Sequence, residues 1–167
     1  MKIAFELNGV SVTVECHPLK SLLDILRQDF RLKGTKEGCG SGECGNCLVF
    51  MDAALVNACL LPAFRLEGKR IMSIEGFVKT REYADIEKAF LAGDILTCGF
   101  CTPSLILAVE SLLQKRSAPG RKEITAYLAE NLCLYAGSGR IVEAVQAAAA
   151  LRRKRRDGKK SRFGARL

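Results

Sequence analysis

The stretch Gly38-Cys39-Gly40-Ser41-Gly42-Glu43-Cys44-Gly45-Asn46-Cys47 places three cysteines within nine residues, in the spacing C-x4-C-x2-C. A fourth cysteine follows after eleven intervening residues. Four thiolates at these intervals match the ligand spacing of plant-type 2Fe–2S clusters. The stretch therefore predicts one 2Fe–2S cluster held by four cysteines: Cys39, Cys44, Cys47 and Cys59.

Four glycines are interleaved with these cysteines. Glycine lets a backbone turn sharply and approach a bound group closely, so that N–H groups can point at the cluster sulfurs and tune the potential. We expect the loop to surround the cluster with the help of Gly38, Gly40, Gly42 and Gly45.

Zinc and disulfide alternatives fit the cysteines less well. A structural zinc site usually combines two short ligand pairs, whereas here the first gap is four residues and the last is eleven. Disulfide frameworks belong to small secreted domains, and the N-terminus Met1-Lys2-Ile3-Ala4-Phe5 has a strand-like pattern rather than that of a signal peptide.

The composition is that of a globular protein. A chain of 167 residues holds one ordinary domain or two small ones. No apolar run is long enough to span a bilayer, so we expect no membrane association. Eight cysteines beside a single histidine, His17, favour thiolate-rich metal chemistry in a reducing compartment, for which we expect the cytoplasm.

The positive charge is concentrated in residues 151–167. They carry nine Lys or Arg and one Asp, which accounts for the whole net charge of +8. Such a run can bind nucleic acid or an acidic surface. Because the remainder is neutral overall and shows no basic stripe, we favour a solvated tail and do not expect nucleic-acid binding.

The pattern of the first half predicts a small mixed sheet around one helix. Asn8-Gly9 between two alternating segments is a strong hairpin signal. Ser21 resembles the N-cap of a helix that reaches about Phe30. The predicted strands cover 2–7, 10–15, 48–51 and 70–76, and the segment 55–60 carries the fourth cysteine.

Helical periodicity replaces the strands near residue 80 and predicts a small four-helix bundle. Thr102 is the expected N-cap of its second helix, with Pro103 at the first helical position. Helices are expected at 85–92, 102–115, 123–132 and 140–151, and the last can continue into the basic run.

A second group of cysteines lies in this half. Cys98 and Cys101 directly precede a helix N-terminus, which favours thiolates through the helix dipole. Cys133, at the end of the third predicted helix, offers a third ligand. A C-x2-C pair alone is also compatible with a redox-active pair or a zinc site.

With these motifs together, the chain resembles the iron–sulfur subunit of the molybdenum hydroxylases, the xanthine dehydrogenase and aldehyde oxidase family. The resemblance covers residues 1 to about 150. It rests on four segments in the order and spacing of that family: Glu37 to Cys47, Cys59, Cys98-Gly99-Phe100-Cys101-Thr102-Pro103 and Asn131-Leu132-Cys133.

The resemblance implies an α+β architecture with two clusters. A β-grasp ferredoxin-like domain (1–78) precedes a four-helix-bundle 2Fe–2S-binding domain (79–151) and the basic tail (152–167). The second cluster is then held by Cys98, Cys101 and Cys133. The resemblance also implies a relay, in which electrons pass from a molybdenum cofactor in a large subunit to the helical-domain cluster, then to the ferredoxin-domain cluster, and on to a flavin subunit or another acceptor.

The chain departs from the family pattern near the second cluster. Tyr135 stands where the family has the second cysteine of its last motif, and Ala136-Gly137-Ser138 follows it. Thr97 replaces a usual glutamine that contacts the molybdenum cofactor, and Ser104 replaces a usual glycine.

The second site therefore lacks its fourth thiolate. A phenolate at Tyr135, the spare thiol of Cys16 or a ligand from a partner subunit could complete it, although a phenol with a pKa of about 10 ionises at a cost. Alternatively the second cluster is absent and its three cysteines pack as small apolar residues. We favour a second cluster in an altered site, because three cysteines at family spacing would otherwise be unexplained.

The chain shows no residues for substrate chemistry: no activated serine, no histidine pair and no nucleotide-binding glycine loop. We therefore predict an electron-transfer subunit of an oxidoreductase complex, with no substrate catalysis of its own. The alternative is a single-cluster, ferredoxin-like module whose helical half serves mainly as a docking surface.

Overall fold

The structure is a computed structural model that describes residues 1–95, 99–129 and 139–164, with side chains as far as Asp157. A five-stranded sheet forms its first half, with the strands in the order β2-β1-β5-β3-β4. β1 pairs with β5 in parallel, and the other neighbouring pairs are antiparallel. The strands are β1 (Lys2–Leu7), β2 (Val10–Glu15), β3 (Leu48–Met51), β4 (Ala54–Asn57) and β5 (Arg70–Met72).

The hairpin between β1 and β2 follows the sequence prediction. Asn8 and Gly9 have φ values of 53° and 83°, the left-handed conformations that a two-residue hairpin turn of type I′ requires. The inward side chains of β1 are at most 5% exposed, as alternation predicts. Val10 is 62% exposed, because it adjoins the turn on the edge strand.

Helix α1 (Leu22–Asp24) continues as a π-helical turn over Ile25–Asp29 and packs under the sheet. Ser21 is its N-cap, as predicted, and its Oγ accepts a hydrogen bond from the Asp24 N–H at 3.0 Å. The inward leucines and isoleucine are fully buried, each contributing about 2 kcal/mol relative to exposure.

Strand β3 is buried on both faces and joins the two halves of the molecule. Val49 packs into the core of the sheet and α1. Leu48 and Phe50 point the other way, into the core of the helical half. Residues 48–51 are all apolar because a strand covered on both faces does not alternate between apolar and polar side chains.

The prediction of a strand over 70–76 is wrong beyond Met72. Helix α2 (Ile74–Phe77) begins there. Asn8 fixes the turn between them: its Oδ1 accepts a hydrogen bond from the Ser73 N–H at 2.9 Å, and its Nδ2 donates to Ser73 Oγ at 3.0 Å. A side chain from the hairpin therefore ends the strand, a contact 65 residues away in sequence.

The described part of the second half contains four helices, as predicted, but the third begins at Arg121, two residues before its predicted start, and ends at Leu128. Thr80 starts the first of them four residues earlier than expected, because its Oγ1 accepts from the Tyr83 N–H at 3.1 Å. Thr102 is already helical and Cys101 is the flanking residue, so the prediction of Thr102 as N-cap is wrong. The helices are α3 (Arg81–Ala92), α4 (Thr102–Lys115), α5 (Arg121–Leu128) and α6 (Gly139–Gly164).

Helix α6 continues through the predicted start of the tail. Arg152 is 3% exposed, and its Nη2 lies 2.5 Å from Oε2 of Glu110, which is 2% exposed. Arg155 pairs with Glu82 and Asp85 at 3.0 and 2.8 Å. The expectation of a solvated tail is therefore wrong for these two arginines, whereas the domain limits 1–78, 79–151 and 152–167 stay predictions.

Within the described residues, no helix combines the length and apolar character needed to cross a membrane.

Glu110→Ala should lower the free energy of unfolding by about 3–5 kcal/mol, because it leaves the buried Arg152 charge with only the more distant carboxylate of Asp85, 3.9 Å away. Glu143→Ala is the matched control. It removes an ion pair to Arg121 that is mostly exposed on both sides, and should cost less than about 1 kcal/mol. Urea unfolding of the full chain measures both, and equal losses would contradict the buried pair.

Candidate metal centre

The predicted glycines shape the cysteine loop, residues 38–47, which runs into β3. Gly40, Gly42 and Gly45 have φ values of 71°, 83° and 67°, a region that side chains disfavour. Gly38 is needed for space instead: a Cβ there would lie 2.6 Å from Cys44 Sγ. The loop thus depends on all four positions.

Cys39 and Cys44 form one pair in this loop. Their backbones and sulfurs are mutually bonded: Cys39 N–H donates to Cys44 Sγ, and Cys44 N–H donates to Cys39 Sγ, both at 3.4 Å. Ser41 N–H also donates to Cys39 Sγ at 3.4 Å. N–H groups that face sulfur stabilise thiolate charge, as expected from the glycine-rich sequence of the loop.

Cys47 and Cys59 form the second pair. Their sulfurs lie 3.4 Å apart, well beyond a disulfide bond, and both thiols are free. Cys47 directly precedes β3, while Cys59 lies in a 3₁₀ turn that follows β4. Antiparallel pairing of the two strands brings the two cysteines together.

The two pairs match the ligand arrangement of a two-iron cluster. Among the residues described, no three Cys, His, Asp or Glu side chains surround one metal position. In a 2Fe–2S cluster with four thiolates, by contrast, two sulfurs serve each iron. The glycine cradle, the sulfur-directed N–H groups and the four thiols therefore fit that group.

The pKa values of two of the thiols are shifted in opposite directions. Hydrogen bonds from the Ser41 side chain and from the backbone of Cys44 and Ser41 lower the pKa of Cys39 to about 6. Burial raises the pKa of Cys47 to about 12. Cys39 is thus ready to bind metal as a thiolate, whereas Cys47 must release a proton on binding.

Sequence reasoning missed Asn57, which braces the cysteine loop. Its Nδ2 donates to the Gly42 carbonyl at 3.2 Å, and its Oδ1 lies 3.7 Å from Cys47 Sγ. The signal available in the sequence was the position of this asparagine, two residues before the predicted ligand Cys59. Leu60 also contributes, since its side chain lies directly over Gly42.

The second predicted group is described only in part. Cys101 flanks the N-terminus of α4 and is half-buried. Cys98, Cys133, Thr97 and Tyr135 lie outside the described residues. Cys16, the spare thiol, packs against the core of the sheet half, as expected for a small apolar residue.

Two family models match the two halves in turn. A 2Fe-2S iron-sulfur cluster binding domain matches residues 5–71, and a second 2Fe-2S binding domain matches residues 73–146. The nicotinate dehydrogenase small FeS subunit of Eubacterium barkeri is 37% identical over 144 residues, which are 86% of this chain and 92% of that protein. The chain belongs to the small iron–sulfur subunits of the molybdenum hydroxylase family.

Other members of the family agree. The xanthine dehydrogenase iron-sulfur-binding subunit of Escherichia coli is 37% identical, over 83% of this chain and 88% of that one. The crystal structure of quinoline 2-oxidoreductase from Pseudomonas putida 86 contains a chain 33% identical, with a TM-score of 0.84, covering 92% of this chain and 96% of that one. This molybdenum hydroxylase subunit is thus the iron–sulfur component of an oxidoreductase, and the resemblance drawn from the motifs is confirmed.

Gly38→Ala should weaken iron retention by about 10-fold or more, because the new Cβ displaces Cys44 Sγ. Gly120→Ala is the control, since its Cβ would enter open space without a positive φ. Loss of visible absorbance in a titration with an iron chelator measures both. Equal retention in the two variants would show that the space at Gly38 does not matter.

Proposed function

We propose that this chain holds two 2Fe–2S clusters and passes electrons between larger subunits of a molybdenum-hydroxylase-like complex. The observation that carries the proposal is the pairing of four free thiols around a glycine loop whose N–H groups face sulfur. A 2Fe–2S cluster supplies one-electron transfer when bound. The chain's own residues fix its position and its electrostatic surroundings.

The first cluster is assigned to four ligands in two pairs. One pair lies on the loop and is partly exposed, whereas the other lies at the ends of β3 and β4 and is mostly buried. This placement supports a site with one side near the surface, suited to exchange electrons with a partner. The ligands are Cys39 and Cys44, then Cys47 and Cys59.

The second cluster is assigned to Cys98, Cys101 and Cys133, with the fourth ligand supplied from elsewhere. The match of a second 2Fe-2S binding domain over residues 73–146 spans these cysteines and supports the assignment. Tyr135 holds the position of the missing cysteine. Three thiolates and one different ligand form an altered but complete coordination set.

The partners are a large subunit that binds the molybdenum cofactor and a subunit that binds flavin. Support comes from relatives whose names make them subunits of larger enzymes, among them subunit beta of the 6-hydroxypseudooxynicotine dehydrogenase complex of Paenarthrobacter nicotinovorans. Free thiols at Cys16, Cys39, Cys44, Cys47 and Cys59 suit a reducing compartment, and we place the protein in the cytoplasm.

Cys44→Ser should abolish the first cluster's visible absorbance, because it removes one thiolate of the loop pair. Cys16→Ser is the control, since Cys16 belongs to no ligand pair and packs against the core. Absorption spectra of the anaerobically purified variants decide the matter. A Cys44→Ser protein with full absorbance would contradict the ligand assignment.

The unaltered chain should contain four irons and four acid-labile sulfides, with two distinguishable rhombic EPR signals after reduction. These numbers follow from two clusters of two irons each. Anaerobic purification, metal analysis and EPR provide the measurement. Two irons and one signal would instead support a single-cluster, ferredoxin-like docking module, with the relay interrupted in the helical half.

A further inference from the structure

Ser104 links the two candidate cluster sites through one hydrogen bond. It lies in the first turn of α4, three residues after Cys101, and is 2% exposed. Its Oγ donates to the Asn46 carbonyl at 2.6 Å. Asn46 directly precedes Cys47, so a helix that starts at one site bonds the loop of the other.

The acceptor of this hydrogen bond lies outside the helix that carries Ser104. A serine in a helix commonly bonds a carbonyl of its own preceding turn. Ser104 instead bonds a carbonyl 58 residues away, at a short distance and in a buried setting. A buried hydroxyl is costly without a partner, so this bond holds the loop against α4.

The same carbonyl has a second donor. Lys36 N–H also donates to Asn46 O, at 3.1 Å. Two donors on one carbonyl both draw electron density toward its oxygen and so polarise the peptide group. The nitrogen of that peptide belongs to Cys47, so the polarisation places positive character beside a proposed ligand.

We propose that Ser104 is a positioning residue that raises the reduction potential of the first cluster through the Asn46 carbonyl. Potentials of iron–sulfur clusters depend on the hydrogen bonds and dipoles around their sulfurs, and positive character near a cluster favours its reduced form. Ser104 thereby increases the driving force for electrons to arrive at the first cluster from the second. The inference rests on the proposed ligands of the first cluster.

The test is a redox titration followed by EPR, in the full chain with its clusters. Ser104→Ala should lower the midpoint potential of the signal that Cys44→Ser removes, and Ser104→Thr, which keeps the hydroxyl, should restore it. Ser111→Ala is the matched control: Ser111 lies on the same helix, is 4% exposed and bonds Tyr127 OH at 2.8 Å. It should leave the potential unchanged.

Two results would overturn the proposal. One is a Ser104→Ala protein with the potential of the unaltered chain. The other is an equal shift in Ser111→Ala, which would indicate a general effect of packing in α4.

Amide hydrogen exchange separates this inference from the ligand assignment. If the unaltered chain shows no first-cluster signal, the ligand assignment is wrong, and exchange still tests the bond. Ser104→Ala should then speed exchange of residues 36–47 by about fivefold, the effect of one ordinary hydrogen bond. Unchanged exchange would show that Ser104 does not hold the loop.

Discussion

The N–H groups of the cysteine loop face sulfur, and this constraint governs the rest of the structure. N–H groups committed to sulfur are not available to a ladder or a helix, so the loop cannot support itself with regular secondary structure. Its support comes from outside instead. Asn57 bonds one carbonyl of the loop from β4, and Ser104 bonds another from α4.

The sheet and the helical bundle contact each other at β3, directly after the cysteine loop. β3 leaves the loop and is covered by both halves, through Val49 on one face and Leu48 and Phe50 on the other. Movement of α4 would therefore disturb both the core under β3 and the bond to Asn46. The shared strand thus holds the cysteine loop at a fixed position relative to α4.

The sequence predicts those features that depend on neighbours in the chain. The Asn8-Gly9 turn, the Ser21 cap and the cysteine spacing each carry their signal within a few residues. The end of β5 was not predictable in this way, because Asn8 imposes it from the end of the neighbouring strand β1, 65 residues away in sequence. The roles of Asn57 and Ser104 likewise depend on a fold that local patterns do not specify.

The basic residues 151–167 also form contacts that local sequence patterns do not specify, and one of these contacts affects the order of folding during synthesis. Local composition makes residues 151–167 resemble a solvated tail, yet Arg152 neutralises a carboxylate inside the bundle. Glu110 leaves the ribosome 42 residues before its partner. Because burial of the Glu110 charge is favourable only when Arg152 can pair with it, the second half completes its fold only after Arg152 has been synthesised.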